Sequence, residues 1–169
     1  DRDSGSYSHM VFDSSRGAGR AIKTNSYNAE NAYDANNLKK FLNGGFSVED
    51  STEVNRITTY IAWNWHANGG TTSANTDGSG ATYASTIQAN QTAGFSIVKF
   101  TPGSSSGKDA HGLSQAPEWI LMKDTSRSVL WLVYHKITGA DKYFRLDSNA
   151  NVTTNSTVYS TAPTASVFD

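Results

Sequence analysis

Cysteine is absent from the 169 residues, which excludes disulfide staples and thiolate metal sites and leaves packing or oligomerisation to hold the fold. That fits assembly in a reducing cytoplasm. Proline occurs three times and glutamate only four (Glu30, Glu49, Glu53 and Glu118), so one of the best helix formers is scarce. Neither charge sign dominates: 14 basic and 15 acidic residues leave a net charge of −1. Without a polybasic stripe, nucleic acid and anionic lipid are not expected as partners. Long apolar runs are missing too. None approaches the roughly 20 residues of a membrane-spanning helix, and Asp1-Arg2-Asp3-Ser4-Gly5-Ser6 has no apolar core of a signal peptide. No membrane insertion is expected.

What is plentiful is small and polar: 22 Ser, 18 Thr, 14 Asn and 14 Gly. This composition suits strands and turns and disfavours long helices.

The chain also resembles itself. Shifted by 122 positions without a gap, His9-Met10-Val11-Phe12-Asp13 falls on Trp131-Leu132-Val133-Tyr134-His135, and Gly17-Ala18 on Gly139-Ala140. In the same register Arg20-Ala21-Ile22-Lys23 meets Lys142-Tyr143-Phe144-Arg145, Asn25 meets Asp147, Ser26 meets Ser148 and Phe46 meets Phe168. A register of like-for-like substitutions marks a duplicated structural unit. On this reading residues 1–67 are the later part of one unit, 68–92 a Gly/Ser/Thr/Asn-rich connection and 93–169 the earlier part of the next. The chain is then expected to be a window on a longer tandem protein, its core completed by strands from outside or by exchange between the two pieces.

Period-two patterning predicts the strands. The clearest runs from Ile57 to Ala67, with Ile57, Thr59, Ile61, Trp63 and Trp65 on one face, expected to be buried. Others are predicted over Phe95–Phe100, Trp119–Lys123, Val129–Lys136 and Lys142–Leu146, with Ser8–Asp13 and Ala21–Lys23 as first-copy counterparts of the last two. Trp131, beside Val129 and Val133, is expected in the core. Gly17-Ala18-Gly19 and Gly139-Ala140-Asp141 each sit between paired strands and predict hairpin turns that need a positive φ. Asn28–Leu42 has helical spacing, but its aligned partner Ala150–Thr164 is Thr-rich and contains Pro163, so the stretch is read as irregular, ending in the strands Phe46–Val48 and Val167–Phe168. Many short antiparallel strands without helical alternation predict an all-β fold, an antiparallel β-sandwich or jelly roll.

The ordered motifs Tyr60-Ile61-Ala62-Trp63-Asn64-Trp65, Ala93-Gly94-Phe95-Ser96-Ile97-Val98, His111-Gly112-Leu113-Ser114-Gln115-Ala116-Pro117, Val133-Tyr134-His135 and Thr161-Ala162-Pro163 with Val167-Phe168 cover nearly the whole chain. Together they resemble a tandemly duplicated module of marine phage, especially cyanophage, structural proteins, which is similar to laminin-G and concanavalin-type jelly rolls of tail and head fibres. The resemblance implies a virion surface protein, assembled in the host cytoplasm beside other virion subunits, with a homo-oligomer expected. It carries no catalytic site.

Residue chemistry points the same way. His9, His66, His111 and His135 are scattered with no metal-ligand spacing; His111 and His135 read as turn or rim residues, and no cofactor is expected. Calcium is the ion most natural to a lectin-like loop, and Asp1-x-Asp3-x-Gly5 and Asn75-x-Asp77-x-Ser79 offer oxygens, though neither is a full ligand set. Glycoside hydrolysis needs two facing carboxylates; only Glu118 stands beside an aromatic strand, and no partner acid can be named. Sugars stack their apolar CH faces on exposed rings. Trp63, Trp65 and Trp131 read as core, which leaves Trp119, with Tyr27, Tyr33 and Tyr83, as candidate glycan contacts. The expected function is therefore non-enzymatic host attachment by glycan adhesion. The alternatives are a purely structural capsid-decoration or fibre repeat completed by partner strands, and a polysaccharide depolymerase.

Overall fold

The computed structural model describes residues 7–67, 72–74 and 80–169. Within them every regular element is a strand, so the fold is all-β. β1 (Met10–Val11) pairs with β2 (Ile22–Lys23), and β3 (Leu38–Leu42) with β4 (Gly45–Val48). β5 (Thr72–Ala74), β6 (Ser85–Asn90) and β7 (Phe95–Phe100) form a three-stranded sheet, and β8 (Asp109–Ala110) pairs with β13 (Val167–Phe168). The largest sheet has four strands in the order β12 (Thr153–Thr154), β11 (Lys142–Arg145), β10 (Leu132–His135), β9 (Trp119–Met122). Pairing is antiparallel from β1 to β2, β3 to β4, β5 to β6 to β7, β8 to β13 and β11 to β12.

The chain divides into two compact units, each assembled from separated stretches: residues 1–63, 122–132 and 145–150 make the first, and 64–121, 133–144 and 151–169 the second. The first buries Ala21, Ile22, Leu38 and Trp131. As expected, Trp131 is core. Its indole N–H is not left unpaired there: Nε1 donates to Lys23 O at 2.9 Å. The second unit has its own apolar cluster, Ile87, Ala110 and Val167, edged by Ala81, Ala89 and Val98. Val133 and Tyr134, neighbours on β10, are both buried. Because successive side chains on a strand point to opposite faces, β10 is covered on both sides.

Two hairpins 122 residues apart repeat one hydrogen-bond frame. Gly17 N donates to Asp13 O at 3.1 Å, and Gly139 N to His135 O at 3.3 Å. His9 N donates to Asn25 Oδ1 at 3.3 Å, and Trp131 N to Asp147 Oδ1 at 3.4 Å. Asn28 N and Ala150 N each reach the serine hydroxyl two residues before them, at 3.2 and 3.3 Å. The expected positive φ is found at Gly17 (99°), Gly19 (78°), Gly139 (75°) and Asp141 (61°). Further on the spacing shortens by one. Asp34 N donates to Gly19 O, but it is Asn155, not residue 156, that donates to Asp141 O. The turns that follow keep that step, with Asn36 N on Asp34 Oδ1 and Thr157 N on Asn155 Oδ1. A single gapless offset therefore does not hold through both segments.

Three expectations are corrected. No strand forms over Ile57–Ala67: Thr58 N turns back onto Arg56 O at 2.8 Å, and Arg56 N bonds the Tyr60 hydroxyl at 3.1 Å. This bend draws Thr58 and Tyr60 partly inward and turns the apolar side outward, leaving Ile57 109%, Ile61 83%, Trp63 74% and Trp65 64% exposed. Trp63 and Trp65 are thus not core, although Trp65 stacks on Phe95 with centroids 6.1 Å apart. Asn28–Leu42 is not irregular throughout, since its last five residues are β3, closed onto β4 through Asn43 and Gly44. Lastly, β5 and β6 lie inside the stretch 68–92 expected to be a connection. The predicted strands near 8–13, 21–23, 119–123, 129–136 and 142–146 are present but shorter than expected.

Candidate functional site

Trp119 opens β9 directly after Pro117-Glu118, and the residue is 60% exposed. The main chain fixes that corner: Lys136 N donates to Glu118 O at 2.8 Å, holding the start of β9 against the turn that follows β10. Trp119, Val133, His135, Ile137, Thr138 and Phe144 then line a shallow, mostly apolar depression of about 360 Å³ within the second unit. Val133 is buried and forms its floor, Phe144 is half-buried, and Trp119 and Ile137 stand out as walls.

Polar groups are confined to the rim. Ile137 N donates to His135 Nδ1 at 3.2 Å, so the neutral imidazole carries its proton on Nε2. Thr138 Oγ1 donates to His135 O at 2.8 Å, which leaves its lone pairs free to accept. Lys136 Nζ lies 2.7 Å from Glu118 Oε1, and both side chains are exposed. The Lys136 ammonium holds the Glu118 carboxyl below its ordinary range, with His135 adding a smaller push in the same direction, and Glu118 in turn holds the ammonium above its own.

The four candidate contact residues do not converge. Tyr27 lines a different depression in the first unit, with Ser128, Val129, Leu130 and Leu132. Tyr33 is exposed on one side and lies on Gly19 with the other: a Cβ there would meet Tyr33 Cε2 at 2.6 Å and Asp34 O at 2.8 Å. Tyr83 is half-buried, its ring against Gly103 and Gly107 and its hydroxyl donating to Ser105 O. Tyr27 and Trp119 each stand exposed beside a depression; that of Trp119 is lined by the imidazole and the hydroxyl of His135 and Thr138, that of Tyr27 by the Ser128 hydroxyl. His135, Ile137 and Thr138 were missed as site residues, although the 122-residue offset, which sets Thr138 against Arg16, already marked the turn that carries them.

His135 ends its strand at the rim, as expected. His111 does not lie at a rim. It is buried, with Nε2 on Thr164 O and Nδ1 accepting from Leu113 N, both at 3.1 Å, and burial pushes its pKa down. Two positions earlier Asp109 is also buried, its Oδ1 without a hydrogen-bond partner among the described residues, and burial pushes its carboxyl up to about 6. Among the described residues no group of three or more His, Asp or Glu side chains is placed to hold a metal ion. Both calcium-loop candidates, Asp1-x-Asp3-x-Gly5 and Asn75-x-Asp77-x-Ser79, lie outside the described residues.

The chain belongs to the family described as Domain of unknown function (DUF7483), whose match spans residues 1–169. No curated protein and no solved structure matches it.

Proposed function

We propose that the chain is a non-enzymatic module of a bacteriophage virion, part of a tail fibre or a head fibre, that attaches to host-surface glycans. In this reading its antiparallel strands form a β-sandwich of jelly-roll type built from a duplicated unit; the hydrogen bonds repeated at a spacing of 122 support the duplication. One observation carries the adhesion: an exposed tryptophan walls an apolar depression whose only polar groups sit at the rim. That is the arrangement an uncovered ring needs to stack against a sugar's CH face while hydroxyls bond at the edge. A shallow site of this size binds weakly, and displaying many copies on one particle turns weak contacts into firm attachment through effective concentration. The test is a host-surface glycan array probed with the chain displayed multivalently on beads, beside its Trp119→Ala variant. Binding that the variant loses is the expected result; no binding to any glycan overturns the adhesion reading.

A second reading is favoured by a different observation. In the first unit Ile57, Ile61 and Trp63 stand exposed. A structural fibre or capsid-decoration repeat, covered there by another virion subunit, accounts for it. Sedimentation at rising concentration checks this reading, and a chain that stays monomeric throughout counts against self-association.

A further inference from the structure

We propose that the Trp119 depression takes a single uncharged sugar ring, and that Thr138, standing where the first hairpin has Arg16, is the residue that keeps it open. The inference rests on the adhesion reading and specifies its ligand.

The comparison between the hairpins carries the second half. Five of the six lining residues have counterparts 122 positions earlier: Val11, Asp13, Ser15, Arg16 and Ile22 stand for Val133, His135, Ile137, Thr138 and Phe144. In the first hairpin Arg16 is held against the hairpin's own backbone and carboxylates, with only 9% of its side chain exposed. Its guanidinium reaches Val11 O at 3.2 Å, Arg20 O at 3.3 Å, Asp13 Oδ2 at 2.5 Å and Glu30 Oε2 at 2.9 Å. One long side chain thus bridges the strand before the turn and the chain just ahead of β2. Thr138 is too short for that. Among the described residues it bonds its own turn, at His135 O, and the walls Trp119 and Ile137 remain exposed.

Size and charge select the ligand. The volume lies at the small end of the range of about 300 to 1,000 Å³ found for ligand sites, enough for one ring rather than an enclosed chain of them. At the rim the charges of Glu118 and Lys136 are already matched. None of the lining side chains is a carboxylate, an ammonium or a guanidinium, and the neighbouring Glu118 and Lys136 offset each other, so no net charge is offered to a uronate, a sulfate or a cationic amino sugar. Uncharged hydroxyls find a donor in His135 Nε2 and an acceptor in Thr138 Oγ1.

The experiment immobilises neutral hexose-terminated, uronate-containing and sulfated glycans and measures binding of the multivalent wild type, Trp119→Ala, Thr138→Arg, Thr138→Ser and Ile137→Asp. Binding to the neutral set is expected, lost by about ten-fold or more in Trp119→Ala and Thr138→Arg and kept in Thr138→Ser. Ile137→Asp alters a residue that is 88% exposed, so it is expected to fold even where Thr138→Arg does not, and it too is expected to lose the neutral glycans. Undiminished binding by a folded Thr138→Arg, or by Ile137→Asp, overturns the inference. Binding confined to acidic glycans also overturns it while leaving adhesion standing; binding to none overturns both.

Discussion

In the first hairpin a guanidinium lies across the strands with carboxylates on either side of it; at the same place in the second, a threonine leaves an apolar hollow beside an exposed tryptophan. The main-chain frame beneath is shared, down to the turn glycines at Gly17 and Gly139. Buried charge is handled differently as well. The first unit pairs its enclosed charges, Arg16 with Asp13 and Glu30 and Lys23 with Glu53, whereas the second encloses the Asp109 carboxyl with its Oδ1 unbonded among the described residues. One backbone frame therefore serves two surfaces. What sits on it is decided by a few side chains whose exchange costs stability in one unit and little in the other.

The largest effect is expected where the shared frame differs in space rather than in conformation. Gly19 and Asp141 occupy equivalent turn positions with similar positive φ, but Gly19 lies under the Tyr33 ring and against Asp34 O. Placing the second hairpin's residue there, Gly19→Asp, forces a side chain into backbone and ring at once. A loss of about 3 kcal/mol or more is expected in urea unfolding, from steric overlap added to left-handed strain. A midpoint equal to that of the wild type shows that Tyr33 does not hold its place over Gly19.

Arg16→Thr, which imports the second hairpin's residue, comes next. It leaves Asp13 and Glu30 facing each other with only Arg20 to answer Glu30. Breaking a largely enclosed ion network by removing one partner costs about 2 to 3 kcal/mol. Its pH signature is specific. Burial pushes the Glu30 carboxyl up, but Arg16 and Arg20 more than offset this and hold it below 4.5. Glu30 therefore contributes stability present above its unfolded pKa and lost as pH falls through the folded one. In Arg16→Thr that acid loss shrinks, which parallel unfolding series from pH 3 to 7 detect.

Asp109 is expected to behave with the opposite sign. Its folded pKa of about 6 lies above the ordinary 3.8, so the folded state holds the proton longer and stability falls as pH rises from about 4 to about 6. Asp109→Asn removes this dependence and raises stability at pH 7 by about 1 to 2 kcal/mol. His111 opposes it in the same window: its pKa is depressed, so it destabilises as pH falls below 6.5. The difference between wild type and Asp109→Asn isolates the carboxyl; a difference that does not change with pH removes Asp109 as its source.

How much of this contrast was legible in the sequence depends on what each signal measures. Positive φ at the turns was readable because Gly17 and Gly139 sit between strand patterns at matched spacing, and β7 and β13 were readable because their apolar residues have a real core to enter. The Ile57–Trp65 alternation has the same grammar and the opposite outcome. Period two says which side chains share a side of an extended chain, not that anything packs against it, and the bend at Arg56–Thr58 decides the matter. β3 hid behind Lys39 and Lys40, although Asn43-Gly44 between Phe41-Leu42 and Gly45-Phe46 is a strong hairpin signal. β6 hid because Ser85 and Gln88 are polar yet buried. Trp119 could be found because it starts a strand pattern directly after Pro117-Glu118. Its neighbours His135 and Thr138 could not, because a depression between β9 and the β10–β11 turn is a product of tertiary pairing.

The smallest effect is expected from the reverse exchange, Asp141→Gly. Asp141 holds φ 61°, a region where a residue with a Cβ is strained and glycine is not, so the substitution relieves the folded state. It also frees the unfolded chain, and that entropy opposes the gain by about 0.4 to 1 kcal/mol. The main-chain bonds survive, since Asp141 N still donates to Tyr159 O at 3.0 Å and Asn155 N to Asp141 O at 2.7 Å. The two terms nearly cancel, and a change within about 0.5 kcal/mol is expected in the same urea titration. Set beside Gly19→Asp, this gives an exchange that is severe in one direction and nearly silent in the other. Only crowding at Gly19 can produce that asymmetry, because the backbone conformation is common to both positions. Equal losses in the two variants mean that conformation, and not the Tyr33 ring, selects glycine in the first hairpin.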